Sequence, residues 1–184
     1  MNLLNKIRVT VDYTDFKIKE PRPFDKGWFS HKFKGPGVRY LVAVSVVTGW
    51  IVWIEGPFMC GLWPDSKIAN ERLVHLLEED ERYFGDRGFR GGIKAITPYQ
   101  LTGEQNQPLK RLAAVARAQH ETVNARLKSW KILQDEFRHD PTTQHGVVFD
   151  AIAEITQLQM ESGRSIFSLE RAMEQFWEGE VERA

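Results

Sequence analysis

The residue best placed to do chemistry is Asp86, which lies in a glycine-rich stretch covering residues 83–92. Glycines at 85, 88, 91 and 92 let the backbone turn tightly and let a bulky ligand approach closely. Arg87 and Arg90 beside it favour an anionic ligand. The alternative is a β-turn with a solvated aspartate. The stretch therefore predicts either a carboxylate that faces a ligand site or an ordinary turn. Whether other acidic residues belong to the same site decides between these interpretations.

Three further carboxylates are candidates for the same site. Asp12 lies in the strand-like segment 8–14, and Glu121 follows Asp86 by 35 positions in a long helical pattern. Asp65 comes just before another helical pattern, where capping of that helix is the alternative role. For Glu121 the alternative is a surface pair with Arg117, which would contribute about 0.2–0.5 kcal/mol.

The elements that must position these acids begin with strands. Residues 8–18 alternate in β-rich character, so Asp12 and Asp15 point to opposite faces and only one can face the site. Two β-branched runs, 39–47 and 50–55, are joined by a Thr-Gly pair and predict a hairpin, with 56–64 as a loop. After a helix from about residue 65, short strands at 82–86 and 93–97 favour parallel pairing.

Helices dominate the second half of the sequence. A helix is predicted from Pro108 to about Phe137, with Glu121 bordering its buried face. A second is predicted over 143–162, ended by Gly163. The positions expected to be buried are Leu109, Leu112, Ala116, His120, Val123, Leu127, Trp130, Leu133 and Phe137 in the first helix, and Val148, Ile152, Ile155 and Leu158 in the second.

Composition narrows the class of protein. The 184 residues suit one buried core, and 25 basic residues balance 25 acidic ones. A net charge of zero argues against gripping nucleic acid through bulk charge, although seven Lys or Arg residues between positions 17 and 39 leave room for a local basic patch. A single cysteine, Cys60, and the lack of a signal peptide or long apolar run predict a soluble intracellular protein.

The order of elements is that of a ribonuclease H-like fold, and the residues themselves resemble the DDE transposases of the PIF/Harbinger superfamily, which share that fold. The resemblance spans most of residues 9–160. It is carried by blocks whose order and spacing are specific together. These blocks are Val11-Asp12-Tyr13-Thr14, Gly56-Pro57-Phe58 running to Asp65-Ser66-Lys67-Ile68, Gly85-Asp86-Arg87-Gly88-Phe89, Thr97-Pro98, and residues 117–128.

The resemblance implies a site and a substrate. Asp12, Asp86 and Glu121 would be the catalytic acids, and Asp65 would join them around Mg²⁺ or Mn²⁺, with two ions expected. Two-metal phosphoryl transfer requires such oxygen ligands. DNA would be the substrate, as transposon ends and target, and a separate DNA-binding protein, an oligomer and a location in the nucleus or cytoplasm are further expectations.

The predicted fold class is α/β, a ribonuclease H-like mixed sheet of three antiparallel strands followed by parallel strands and flanked by helices. Residues 1–163 would form the catalytic domain and 164–184 an amphipathic helical tail, without an amino-terminal helix-turn-helix domain. The turn before Asp65 departs from the family pattern, with Cys60-Gly61-Leu62-Trp63-Pro64 in its place. Two alternatives remain: a domesticated or truncated non-catalytic domain that binds DNA or a partner, and a nuclease acting on RNA–DNA hybrids.

Overall fold

A computed structural model describes residues 3–139 and 142–163. The predicted tail, 164–184, lies outside the described residues. The strands are β1 (Ile7–Lys17), β2 (Phe29–Ser30), β3 (Gly35–Ser45), β4 (Ile51–Met59), β5 (Arg82–Gly85) and β6 (Ala95–Ile96). The α-helices are α1 (Asp65–Ile68), α2 (Gln107–Lys128), α3 (Lys131–Gln134) and α4 (Thr142–Glu161). Within these ranges, no helix combines the length and apolar character needed to cross a membrane.

The six strands form one mixed sheet, which confirms the predicted fold class. β1 lies at the centre, antiparallel to β3 on one side and parallel to β5 on the other, and β6 continues the parallel half. β2 and β4 both pair with the far edge of β3, at different points along it. The carboxyl ends of β1, β5 and β6 therefore point the same way.

Alternation along β1 and β3 creates two apolar layers. On one face, Phe16, Tyr40 and Val42 pack under α2 and α4, with Phe149 of α4 stacked on Tyr40 at 3.8 Å between ring centroids. On the other face, Val11 and its neighbours pack against the helical segment that follows β4. Asp12 faces the α2 side and Asp15 the opposite side, so the predicted division between these two acids is confirmed.

The strands differ from the sequence-based boundaries in two places. β2 was not predicted, because two residues are too short for a period-two pattern. β4 continues to Met59, through residues that were assigned to a loop. A register shift next to Arg39 accommodates the Gly56-Pro57 pair, so this glycine and proline sit at an irregularity of the ladder rather than at its end.

The segment after Asp65 is helical but not one regular helix. One α-helical turn, α1, passes into a π turn over Ala69–Leu73 and a 3₁₀ turn over Val74–Leu76. The spacing of Ile68, Leu73, Leu76 and Leu77 in the sequence predicts one apolar helix face. Ile68 and Leu73 are buried, whereas Leu76 is 62% exposed, so this prediction is wrong for Leu76. The change of helical period rotates Leu76 away from the core.

The long predicted helix is broken near Ser129. The stripe from Leu109 to Leu127 is buried as predicted, but α2 ends at Lys128 and Trp130 is extended, with ψ 122°. After α3 the chain reaches Phe137, whose backbone pairs with the end of β1 through Lys17 and Lys19. Phe137 is thus buried from a β-bridge and not from a helix.

The last described helix, α4, presents a different face from the predicted one. Ile152 is buried, but Ile155 and Leu158 are 41% and 62% exposed. The inward row instead follows His145, Phe149, Ala153, Thr156 and Met160. This row keeps the spacing of three and four that a helix face requires, and polar members at 145 and 156 concealed it in the sequence.

Candidate active site

A cleft opens at the carboxyl ends of the parallel strands, where ligand sites of α/β sheets commonly lie. It is bounded by the middle of β1, the ends of β5 and β6 with the turns that follow them, and the middle of α2. Three of the predicted site residues, Asp12, Asp86 and Glu121, line this cleft together. The other lining residues are Thr10, Val11, Phe84, Gly85, Ile96, Thr97, Pro98, Leu101, Ala113, Arg117 and His120.

Asp12 occupies the floor of the cleft, on the central strand. Its Oδ1 accepts a hydrogen bond from the backbone N–H of Tyr13 at 2.9 Å, and its Oδ2 accepts one from the side-chain amide of Asn124 at 3.3 Å. Burial, followed by the nearby charges of Asp86 and Glu121, raises the pKa of Asp12 to about 7. Without a bound cation, the carboxyl of Asp12 therefore keeps its proton to a higher pH than an ordinary aspartate does.

Asp86 follows the last residue of β5 and caps a 3₁₀ turn over Arg87–Phe89. Its Oδ1 accepts a hydrogen bond from the backbone N–H of Gly88 at 2.7 Å. The turn interpretation and the site interpretation are thus compatible, because this contact uses one carboxylate oxygen and leaves the other. The hydrogen bond to Gly88, two residues later, fixes the direction of the Asp86 side chain.

Glu121 comes from α2 and is mostly exposed. Its Oε1 lies 3.9 Å from the Nε of Arg117, one helical turn earlier, and both side chains are more than 60% exposed. The predicted surface pair therefore exists, and it stands at the mouth of the same cleft. A contact this long between exposed groups contributes little to stability, so Glu121 is energetically free to take other partners.

Asp65 approaches the same region from the opposite face of the sheet. Pro64 holds the capping position of α1 and Asp65 is its first residue, without a side-chain capping bond, so the capping interpretation was wrong. Burial raises the pKa of Asp65 to about 7, followed by the charges of Asp86 and Asp12. Asp65 is thus close enough to Asp86 and Asp12 for their charges to act on it, although it is not in the wall of the cleft.

Gly88 is the point where the Asp86 turn and Asp65 meet. A β-carbon built on Gly88 would overlap the Oδ2 of Asp65 and would stand 3.0 Å from the Oδ1 of Asp86. Gly88 has a negative φ, which any residue can adopt. Glycine is therefore required here because a side chain would not fit, and not because of the backbone conformation. Because glycine has no side chain, the carboxylates of Asp65 and Asp86 can both lie against position 88.

Arg39 is a site residue that sequence reasoning missed. Its Nε and Nη2 donate to the two oxygens of Asp15 at 2.8 and 3.0 Å, and its Nη1 lies 3.4 Å from the Oδ1 of Asp65. The guanidinium also donates to the carbonyl of Trp63 at 3.1 Å. Since one edge of the guanidinium is committed to Asp15 while Nη1 reaches Trp63 and Asp65, Arg39 ties the start of α1 to the sheet.

Asn124 and His120 are two further residues of the site on α2, where periodicity assigned His120 to the buried stripe and Asn124 to the polar row beside it. Asn124 is 6% exposed and donates to Asp12, so it orients a site carboxylate. His120 is 1% exposed beneath the cleft, and burial lowers its pKa to about 4. Its ring faces the backbone of Thr10 without a hydrogen bond of ordinary geometry to any described group. The signal that could have identified them is their position: Asn124 lies three residues after Glu121, and His120 lies one residue before it.

The donor set suits a hard divalent cation, because carboxylate oxygens of mutually raised pKa gain most from a positive charge among them. The arrangement is not yet a closed cage. Over residues 3–139 and 142–163, no three His, Cys, Asp or Glu side chains are grouped tightly enough to hold a metal ion. The described side chains thus form no ready-made metal site, although Asp12, Asp86 and Glu121 share one cleft.

Comparison with known proteins gives one match. A family model described as DDE superfamily endonuclease matches residues 11–157, a range that includes all four acids. No curated protein and no solved structure matches the chain.

Proposed function

Because the chain belongs to the DDE superfamily endonuclease family, we propose that it is a PIF/Harbinger-type catalytic domain that cleaves and transfers DNA phosphodiesters. The observation that carries the proposal is the shared cleft of Asp12, Asp86 and Glu121. These residues are the proposed catalytic acids. Family membership supports nuclease chemistry in general, and the cleft supports this particular set of residues.

Asp12, Asp86 and Glu121 are the proposed ligands of Mg²⁺ or Mn²⁺, with Asp65 as a fourth acid and two ions in all. When bound, the cations supply positive charge that stabilises the charge gathering on the attacking and leaving oxygens. The chain itself positions the carboxylates. Asn124 orients Asp12, and the turn at Gly88 orients Asp86. The exposed Glu121 side chain would leave Arg117 and turn inward by rotation about its own bonds.

Cations of the chain surround the acids and suit an anionic substrate. Arg117 lines the cleft, and Lys32 and Arg117 both act on Asp12 by lowering its pKa. Lys128, half-buried at the end of α2, is close enough to feel the charges of Asp12 and Glu121. A phosphodiester backbone entering between them would meet positive charge on the α2 side, with water or a 3′-hydroxyl as the nucleophile.

The direct test is nicking of supercoiled plasmid DNA by the purified chain. We expect conversion to open circles in millimolar Mg²⁺ or Mn²⁺ and none in EDTA, because the acids cannot stabilise phosphoryl charge by themselves. Ca²⁺, which has the same charge but a looser coordination geometry, is the control for non-specific salt effects. Nicking that persists in EDTA would contradict the proposed chemistry.

Metal binding is also expected to appear in stability, with a defined pH dependence. Asp12 and Asp65 have a pKa of about 7 in the folded chain against an ordinary value of 3.8. The folded chain thus retains protons that the unfolded chain has lost, so without metal the free energy of unfolding falls as the pH rises from about 4 to about 7. Because Mg²⁺ binds the ionised carboxylates, it should raise the melting temperature more at pH 8 than at pH 5.

The matched control is Asp80→Asn, which removes an exposed carboxylate paired with Lys6 at the other end of β5. This variant should keep the full Mg²⁺ effect at both pH values. An equal Mg²⁺ effect at pH 5 and pH 8, or none at either, would contradict a cation site built from Asp12 and Asp65.

A second candidate function is that of a non-catalytic, transposase-derived domain that binds DNA or a partner protein. It is favoured by the open arrangement of the acids, which does not form a ready metal site in the described residues. A wild-type chain that binds DNA but neither nicks it nor gains stability from Mg²⁺ would establish this alternative. In either case the proposed setting is the nucleus, with DNA as the partner, and with a separate DNA-binding protein and an oligomeric assembly as further partners.

A further inference from the structure

Tyr99 and Arg90 form an exposed pair beside the cleft. The Cζ of Arg90 lies 4.7 Å from the centre of the Tyr99 ring, over its face. Tyr99 nevertheless keeps 50% of its surface exposed, and Arg90 is exposed as well. An exposed cation–π contact contributes only modestly to folding, so the pair leaves an aromatic surface available to a ligand.

Both residues stand on turns whose shape is fixed from within. In the turn that carries Tyr99, the side-chain carbonyl of Gln100 accepts from the N–H and the hydroxyl of Thr97 at 2.6 and 2.7 Å, while its amide donates to the carbonyl of Ala95 at 3.1 Å. In the turn that carries Arg90, the backbone N–H of Arg90 donates to the carbonyl of Arg87 at 3.3 Å. These bonds hold the backbone that carries the ring, so the turn needs little ordering when a ligand stacks on Tyr99.

The position of the pair relates it to the acids. The two turns follow β5 and β6, which are adjacent parallel strands, and Asp86 begins the first turn. Pro98 and Leu101, on either side of Tyr99 in the second turn, line the cleft with Asp86 and Glu121. Tyr99 thus lies next to the cleft, between two of the residues that line it.

We propose that Tyr99, backed by Arg90, is a stacking platform for an unpaired nucleobase of the DNA strand next to the phosphodiester in the cleft. A nucleobase is the ligand that this surface suits, since every base has a π-face for the ring and a neighbouring phosphate for the guanidinium. The platform selects DNA whose end is frayed or single-stranded over an intact duplex. This inference rests on the proposed function, whose substrate it specifies.

The test is binding by fluorescence anisotropy, in EDTA so that no strand is cut, to two labelled probes. One probe is a blunt duplex and the other is the same duplex with a short single-stranded extension. Tyr99→Ala should weaken binding to the extended probe about tenfold and to the blunt probe by less than about twofold, since stacking of one base is lost. Tyr99→Phe should bind both probes like the wild type, because stacking needs the ring and not the hydroxyl.

Trp50→Ala is the matched control. Trp50 is 41% exposed in the turn between β3 and β4, where Val46 pairs with Arg8 at the amino end of β1, opposite the cleft. It should bind both probes as the wild type does. An unchanged ratio of the two affinities in Tyr99→Ala, or the same loss in Trp50→Ala, would overturn the stacking platform alone. A wild-type chain that binds neither probe would overturn the platform, and if it also fails to nick plasmid DNA in Mg²⁺, it would overturn the proposed function as well.

Discussion

Asp86→Asn is expected to reduce Mg²⁺-dependent nicking by about a thousandfold while leaving the fold intact. Asparagine retains the Oδ1 that accepts the hydrogen bond from Gly88, so the turn should persist. It removes the negative charge that a cation would need, and a thousandfold loss corresponds to about 4 kcal/mol of transition-state stabilisation. Initial rates of plasmid nicking and the melting temperature without metal are the measurements. The melting temperature should stay level or rise, because Asp12 and Asp65 lose a like-charged neighbour.

The chain provides a close control in Asp25→Asn. Asp25 also caps a 3₁₀ turn, Lys26–Trp28, and its Oδ1 accepts from the N–H of Gly27 at 2.8 Å, but it does not line the cleft. Both variants make the same chemical change in the same local geometry, so only the location differs. Asp25→Asn should nick DNA at the wild-type rate. If the two variants lose equal activity, or if neither loses any, Asp86 is a turn residue and not a catalytic acid.

Arg39→Met is expected to produce the largest loss of stability. Asp15 is only 3% exposed, and its buried charge is offset by the two hydrogen bonds from Arg39 together with one from the Ser30 hydroxyl at 3.0 Å. Removing one partner of a buried ion pair costs about 3–5 kcal/mol because the other charge remains buried. For a chain of this size that corresponds to a fall of about 10 °C in melting temperature. Urea unfolding of wild type and variant measures the difference.

Two companion variants separate the causes. Asp15→Leu combined with Arg39→Met removes both charges and should regain most of the lost stability. Arg8→Met, which breaks the exposed pair with Glu81 at 2.9 Å, should cost less than about 1 kcal/mol. If Arg39→Met costs no more than Arg8→Met, Arg39 is not what offsets the buried charge of Asp15.

The parts of the site that could be predicted from the sequence are those whose signals lie in neighbouring residues. Asp86 could be recognised from the glycines around it, and Glu121 from its place beside a buried helical stripe, because each signal lies within a few residues of the side chain concerned. Likewise β1, β3 and the central part of α2 follow from their own periodicity. The arrangement of Asp12, Asp86 and Glu121 around one cleft then follows from parallel strands ending at the same edge.

The parts that were missed depend on partners far apart in the chain. Asp15 and Arg39 are cross-strand neighbours, but the connection from 18 to 34 leaves the register of β1 and β3 undetermined from sequence. The inward face of α4 includes His145, whose Nδ1 lies 2.8 Å from the hydroxyl of Tyr40. A polar residue that satisfies its partner inside the core cannot be told from a surface one by pattern alone.

The empty space at Gly88 has a consequence for how this sequence can drift. Any residue larger than glycine at position 88 would displace the carboxylate of Asp65, the Asp86 turn, or both. While selection maintains the acids, substitutions of Gly88 should be eliminated. Once that selection ends, they should be tolerated, because no other feature of the turn requires glycine. Among descendants of this chain, substitution at position 88 should therefore accompany loss of Asp65 or Asp86, and lineages that keep both acids beside a bulky residue 88 would contradict this constraint.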